Sequence, residues 1–428
     1  MGILNGNSRQ YALDNGLVVA LQDNPQTSTF SGLLQVNFGF FQEQAGEEGL
    51  AHFLEHAVVN GGSERFSPSE TEYVIRTIGN FGPRTNLGKT RYSFSNLSEN
   101  LDSTLDFISS MVFHPIFDES KVEGERKRIL REMFDKRSNP NYKRDREFYT
   151  RFYRKSPLVL EGDGTIESVS LAPIDLLRQL HQRVYSPTNS DLVIAGNLQE
   201  DIDQIIEKYF GKLKSGTDLR VKSYPALEPL SERIFYHWKE PLLCSKEHPE
   251  ESSAEVTVYL VVPPESCPEF SALKILSYSL GGSSNSRLMK ALGLEKGLAY
   301  RILSQYDGDY NAGVFMIDGY VPAKRLDEAI DAIFKELRTL RKNPISERDL
   351  EIFKSTLRLE LAEHFESNRG HVLALVDRLE TGATPDYYLD EYSKLTIDQI
   401  REVAEQYLPD LRDDKNYALL ISDPLKQE

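Results

Sequence analysis

The segment Gly49 to Gly62, GLAHFLEHAVVNGG, is apolar nearly all the way round a helix and is stopped by two glycines. Runs of β type, such as GLLQVNFGFF and SAEVTVYLVV, alternate along the chain with amphipathic helical patterns. In DIDQIIEKYFG, Ile202, Ile205, Ile206 and Tyr209 keep helical spacing and Gly211 ends the helix. This alternation predicts an α/β or α+β protein. The pattern also repeats. LAPIDLLRQLHQRVYSP from Leu171 returns as LTIDQIREVAEQYLPD from Leu395, and DLVIAGNL from Asp191 as NYALLISDP from Asn416. LDSTLDFISS from Leu101 returns as LDEAIDAIFK from Leu326. The offset stays near about 225 residues, the mark of a duplicated unit. Two homologous domains are therefore expected, residues 1–211 and 234–428. The stretch 212–233 lacks helical periodicity, carries Pro225 and Pro229, and is expected to be the linker.

Aligning the glycine pairs Gly61-Gly62 and Gly281-Gly282 sets His52, Glu55 and His56 against Ala272, Ile275 and Leu276. The second copy of the helix is simply apolar, as a core helix should be. The first copy carries two imidazoles and a carboxylate in the same architectural place, which points to a task in one half only. Residues four apart lie about 40° apart around a helix and about one turn along it, so His52 and His56 can converge on one ion. Glu55 falls about 80° from their midpoint, beside the position a water would take at a metal with an open coordination site. A third ligand is offered by DESKVEGERKRILREMFDKRSNP from Asp118. Its apolar stripe runs Val122, Ile129, Met133, with Leu130 and Phe134 alongside, and Glu125 and Glu132 fall on it. A carboxylate on an apolar face is costly unless paired or metal-bound. One of the two glutamates is expected as third ligand and the other as partner of a histidine N–H; spacing does not say which.

Composition narrows the chemistry. A net charge of −16 offers no basic field for nucleic acid or an anionic membrane surface. No long uncharged apolar run could span a bilayer. The opening MGILNGNSRQ has neither an apolar core nor a basic flank, so no signal peptide is expected; a cytosolic or organelle-lumen protein fits, with the cytoplasm the expected location. Two cysteines, Cys244 and Cys267, are too few for a disulfide framework or a thiolate cluster. LGGSSNSRL has no lysine in the P-loop position. Of the remaining histidines, His114 is expected in a turn, and His181 and His364 as solvated helix residues.

HFLEH followed by ERKRILRE, with 75 residues between His56 and Glu132, resembles the pitrilysin, insulin-degrading enzyme and mitochondrial processing peptidase family, the inverzincins. LDNGLVVAL, YSPTNSDLVIAGNL, LGGSSNSRL and EKGLAY extend the likeness over nearly the whole chain, at the length of the short two-domain members. The resemblance implies an α+β fold of two homologous halves, each a mixed β-sheet flanked by helices. It implies one zinc ion per chain on His52, His56 and Glu132, with Glu55 as general base and Glu125 as supporting carboxylate. It implies a zinc endopeptidase working on peptides or unfolded segments in a chamber closed by a homodimer or by a related partner subunit. Two departures stand out. Thr85 and Thr90 of GNFGPRTNLGKT fit the family's substrate-holding segment, but Gly82 or Pro83 stands where Asn is expected. Tyr300 of GLAY is present as a substrate contact, while the arginine expected seven residues earlier is Gly293. A heterodimer whose other subunit supplies the arginine would account for this; the alternative is a non-catalytic peptide-binding or assembly subunit.

Overall fold

The computed structural model describes residues 8–238, 252–309, 311–410 and 414–425; Cys244 lies outside them. Two sheets are present. The first consists of β1 (Ser8–Ala12), β2 (Val18–Asp23), β3 (Thr29–Val36), β4 (Gly79–Thr85), β5 (Thr90–Leu97) and β6 (Ser190–Gly196), in the order β1-β2-β6-β3-β5-β4. The second consists of β7 (Ile234–Trp238), β8 (Ser253–Val262), β9 (Arg301–Asp307), β10 (Gly313–Pro322) and β11 (Tyr417–Ser422), in the order β7-β11-β8-β10-β9. The orders are the same but for the extra β1. The single parallel pair also recurs, β2 with β6 and β7 with β11, and the other pairs are antiparallel. The sequence repeat is therefore a repeat of topology. The class is α+β, two mixed sheets flanked by helices.

Central strands covered on both faces read as continuous apolar runs, and β6, SDLVIAG, is buried throughout. One face of the first sheet packs on the helices Leu50–Asn60, Leu101–Phe113, Ile174–Val184 and Ile202–Phe210. Its other face is covered from far along the chain: Val372, Leu375 and Val376 of the helix Asn368–Thr381 meet Ala20, Leu33, Val193 and Ala195. In the second sheet, Phe148 and Phe152 of the helix Pro140–Tyr153 pack with Tyr236, Tyr259, Val314 and Leu420. The compact units are accordingly discontinuous. One holds residues 1–136, 160–222 and 361–387, the other 137–159, 223–360 and 388–428. The uninterrupted division expected around 212–233 differs from this in two segments, because a repeat reveals the duplicated pattern and not which sheet a given apolar stripe covers. Residues 212–233 contain neither helix nor strand. Among the described residues no helix is long and apolar enough to cross a membrane.

His114 ends the helix Leu101–Phe113 and His364 is exposed, as expected. His181 is not solvated: it is 7% exposed, and its Nε2–H donates to the Val112 carbonyl at 2.8 Å. The helix around it is rich in charge, but its buried stripe is Leu177, Leu180, His181 and Val184, so the imidazole lies on the apolar face. Burial lowers its pKa from 6.5 to about 4. The folded state thus needs the neutral ring, and the unfolded chain binds the extra proton between those two values. Stability is full above pH 6.5 and falls as pH drops toward 4, by about 3 kcal/mol in all. Urea midpoints of the metal-free protein at pH 7 and pH 4.5 should therefore differ less in His181→Gln than in the wild type, by about 2 kcal/mol; an unchanged pH dependence would contradict the assignment.

Candidate active site

The helix Leu50–Asn60 is anchored before it begins. Glu43 reaches its N-terminus and accepts N–H groups from Gly49 at 3.0 Å and Ala51 at 2.7 Å, an acid placed where the helix dipole favours it. Glu47, 7% exposed, forms a bidentate pair with Arg183 at 2.6 and 2.8 Å and ties the same turn to the helix Ile174–Val184. Gly49 and Gly164, with φ of 85° and 67°, bring two backbones into contact. A Cβ on Gly49 would lie 2.4 Å from the Asp163 carbonyl oxygen, and one on Gly164 2.2 Å from that of Glu48. No side chain fits there, and the approach sets Asp163 beside the first turn of the helix.

Along this helix Phe53, Leu54, Ala57 and Val58 face the core, and His52 and His56 turn their rings toward each other, Nε2 to Nε2 at 3.2 Å. His56 Nδ1 meets the Glu125 carboxylate at 2.8 Å. His52 Nδ1 is a buried atom with no hydrogen-bond partner; Asp163 Oδ1 lies 3.7 Å away. Burial, and then the neighbouring His56, hold the His52 pKa below its ordinary value, which keeps the ring neutral as a ligand must be. Glu132 completes the group: one nitrogen from each histidine and one of its carboxylate oxygens all lie within 4.8 Å of one another.

Both glutamates come from the helix Glu119–Ser138, whose buried residues are Val122, Arg126, Ile129 and Met133. Phe134 is not alongside that stripe but 58% exposed. Glu132 sits at the rim of the helix face, its side chain 46% exposed, with Arg128 at 3.2 Å; Arg128 also lies 3.6 Å from Glu125. The donor set suits zinc. At Zn–N distances of about 2.0–2.1 Å a tetrahedral pair of nitrogens lies roughly 3.4 Å apart, close to the spacing found.

Glu55 is 5% exposed and accepts a hydrogen bond from the Thr85 hydroxyl at 2.6 Å. Behind Thr85 run further buried hydroxyls. Thr90 stands 3.4 Å from it and donates to the Phe38 carbonyl, and Tyr185 and Tyr92 bond to each other at 2.8 Å. Burial pushes both tyrosines well above their usual range, so they stay neutral. A cleft of about 540 Å³ opens over this cluster. Its walls are His52, Glu55, His56, Glu132 and Arg128 on one side and Ile75, Phe81, Pro83 and Thr85 on the other. Gly82 and Pro83 lie in β4, the sheet's edge strand, whose last residue is Thr85. Tyr300 is almost fully exposed just before β9 in the second unit, and Gly293 lies in the helical turn Met289–Glu295.

Residues 18–162 match the family model described as Insulinase (Peptidase family M16), and residues 173–357 match that of the Peptidase M16 inactive domain. The chain belongs to peptidase family M16. An uncharacterized zinc protease of Bacillus subtilis, YmxG, is 25% identical to this M16 chain over 421 residues, 97% of the chain and 98% of the relative. A protease from Helicobacter pylori shares the fold with a TM-score of 0.79 at 20% identity, covering 97% of this chain and 99% of that one. The peptidase M16 inactive domain from Pseudomonas fluorescens does so with a TM-score of 0.82 at 18% identity, over 98% of each chain.

The structure brings together the histidines, Glu55 and both glutamates that the sequence of this M16 chain singles out, and adds Glu43, Asp163, Tyr92 and Tyr185, which it does not. A signal for Asp163 existed in EGDGT, where glycines flank an acid between two helical patterns. The backbone contact can be tested with two alanine variants. Gly46 has a φ of 89° and open space, whereas Gly49 is crowded. Gly46→Ala should lower stability by roughly 1 kcal/mol, from left-handed strain alone. Gly49→Ala should lower it by at least about 1 kcal/mol more. Equal urea midpoints for the two variants would refute the crowding.

Proposed function

We propose that this chain is a zinc-dependent endopeptidase, with His52, His56 and Glu132 holding one zinc ion and Glu55 serving as general base. The observation that carries the reading is the convergence of those three donors beside a buried carboxylate at the floor of a cleft. When bound, zinc supplies a Lewis acid for the scissile carbonyl and lowers the pKa of water. Thr85 donates to Oε2 of Glu55, which leaves Oε1 to take a proton from the attacking water. Glu55 then passes that proton to the leaving amide nitrogen. Glu125 keeps the hydrogen of His56 on Nδ1 and leaves Nε2 free to ligate.

The substrate is an extended peptide, adding as a further strand along β4 near Thr85. Pro83 gives that edge no N–H, so strand addition there relies on neighbouring backbone groups. Tyr300 serves as a substrate contact from the second half, and a homodimer, or a heterodimer whose other subunit brings the arginine lacking at Gly293, encloses the chamber.

Glu55→Gln should keep about one zinc per chain by elemental analysis and lose at least about 10³-fold in cleavage of a quenched peptide. Chelation should abolish wild-type turnover and added zinc restore it. Full turnover by Glu55→Gln would remove Glu55 from its role, and turnover indifferent to chelation would remove the metal. Thr85→Val should lower kcat roughly tenfold with KM little changed, since it takes away the group that orients the base; a rise in KM alone would make Thr85 a substrate contact instead.

A further inference from the structure

The hydrogens on the two imidazoles can be counted. A neutral imidazole carries one N–H. His56 Nδ1 faces the Glu125 carboxylate at 2.8 Å, so its hydrogen is on Nδ1 and its Nε2 bears a lone pair. That lone pair points at His52 Nε2, 3.2 Å away. If His52 carried its hydrogen on Nε2, it would donate to His56, but its bare Nδ1 would then face an Asp163 carboxylate oxygen inside a site where that nitrogen finds no donor. Two acceptors confronting each other out of water are unfavourable. The opposite tautomer puts Nδ1–H toward Asp163 and sets two lone pairs toward one point, which a divalent cation resolves.

Asp163 is built to be there. Its backbone is pressed against Gly49 at the start of the helix, through a contact only glycine permits at 49 and 164. Its Oδ2 is taken by Lys136, which leaves Oδ1 as the oxygen turned to the ring. Its side chain is 24% exposed, so the charge acts through little intervening water. The neighbouring ligand has a carboxylate in the corresponding place and closer, Glu125 at 2.8 Å from His56 Nδ1 against 3.7 Å from His52 Nδ1 to Asp163.

We infer that Asp163 is the positioning residue of His52, the counterpart of Glu125 for His56, so that each histidine is backed by its own carboxylate and presents Nε2 to the same ion. This rests on the three-ligand reading above. The pairing makes zinc affinity, rather than the fold, the property that depends on Asp163, a residue 111 positions from His52 along the chain.

The test uses the full chain and zinc alone, by competition with a chromophoric chelator. Asp163→Ala should weaken zinc binding about 10- to 100-fold, as loss of such a partner does elsewhere. Asp163→Asn, whose carboxamide oxygen can face the N–H without the charge, should recover part of the loss. Glu125→Gln provides the benchmark for the paired position. In zinc-loaded protein with ¹⁵N-labelled histidine, a protected His52 Nδ1–H signal should be present in the wild type and lost to solvent exchange in Asp163→Ala. The thermal midpoint of the metal-free Asp163→Asn protein should match that of the wild type. Zinc affinity of Asp163→Ala within twofold of wild type, with uptake by the wild type intact, would overturn the pairing alone. A wild-type chain that takes up no zinc, or a His56→Ala variant that binds it equally well, would overturn the three-ligand reading and the pairing with it.

Discussion

Two imidazole nitrogens held 3.2 Å apart in a largely buried setting are the constraint on which the first unit turns: with both ring hydrogens on Nδ1, the two facing lone pairs need something positive between them. The rest of the first unit is arranged to keep them there. Glu43 and the Glu47–Arg183 pair fix where the helix starts, and Phe53, Leu54, Ala57 and Val58 fix which way it is rotated. Carboxylates stand behind the two rings, and a third reaches in from the rim at Glu132. The hydroxyl chain behind Thr85 serves the neighbouring carboxylate in the same manner, holding Glu55 by one oxygen.

Duplication explains why such a costly arrangement is tolerated. The second copy of the helix, Phe270–Gly281, keeps the same place beside its own sheet and is filled by Ala272, Ile275 and Leu276, each at most 1% exposed. Copying a stable unit left one core helix free to remain apolar and the other to accept polar groups. The exchange of helices across the chain midpoint has a similar logic. A sheet buried on both faces needs cover on both, and each sheet takes one covering helix from the other half of the sequence.

What could be read from the sequence follows from how local each signal is. The spacing of His52, Glu55 and His56 is a property of one helix, and the glutamates announce themselves by lying on or beside the apolar stripe of another, so these five residues were legible. The duplicated topology was legible as well, since it is written in repeated segments. Asp163 was not, because its place beside His52 is set by contact between two glycine backbones that no periodicity records. The helix Asn368–Thr381 was not singled out, and nothing local in Val372, Leu375 and Val376 says that the sheet they cover lies in the other half of the chain. His181 misled because the charge around it hid the stripe on which it lies. Thr85 was read as a group for substrate; the structure puts its hydroxyl on Glu55, a contact that depends on how the end of β4 meets the helix.

Whether His52, His56 and Glu132 grip one ion can be seen in an anomalous difference map recorded across the zinc absorption edge from a zinc-loaded crystal. A single strong peak should stand at about 2.0–2.2 Å from both Nε2 atoms and a Glu132 carboxylate oxygen. A peak elsewhere on the chain, or rings and carboxylate turned apart around an empty space in crystals grown with excess zinc, would contradict it.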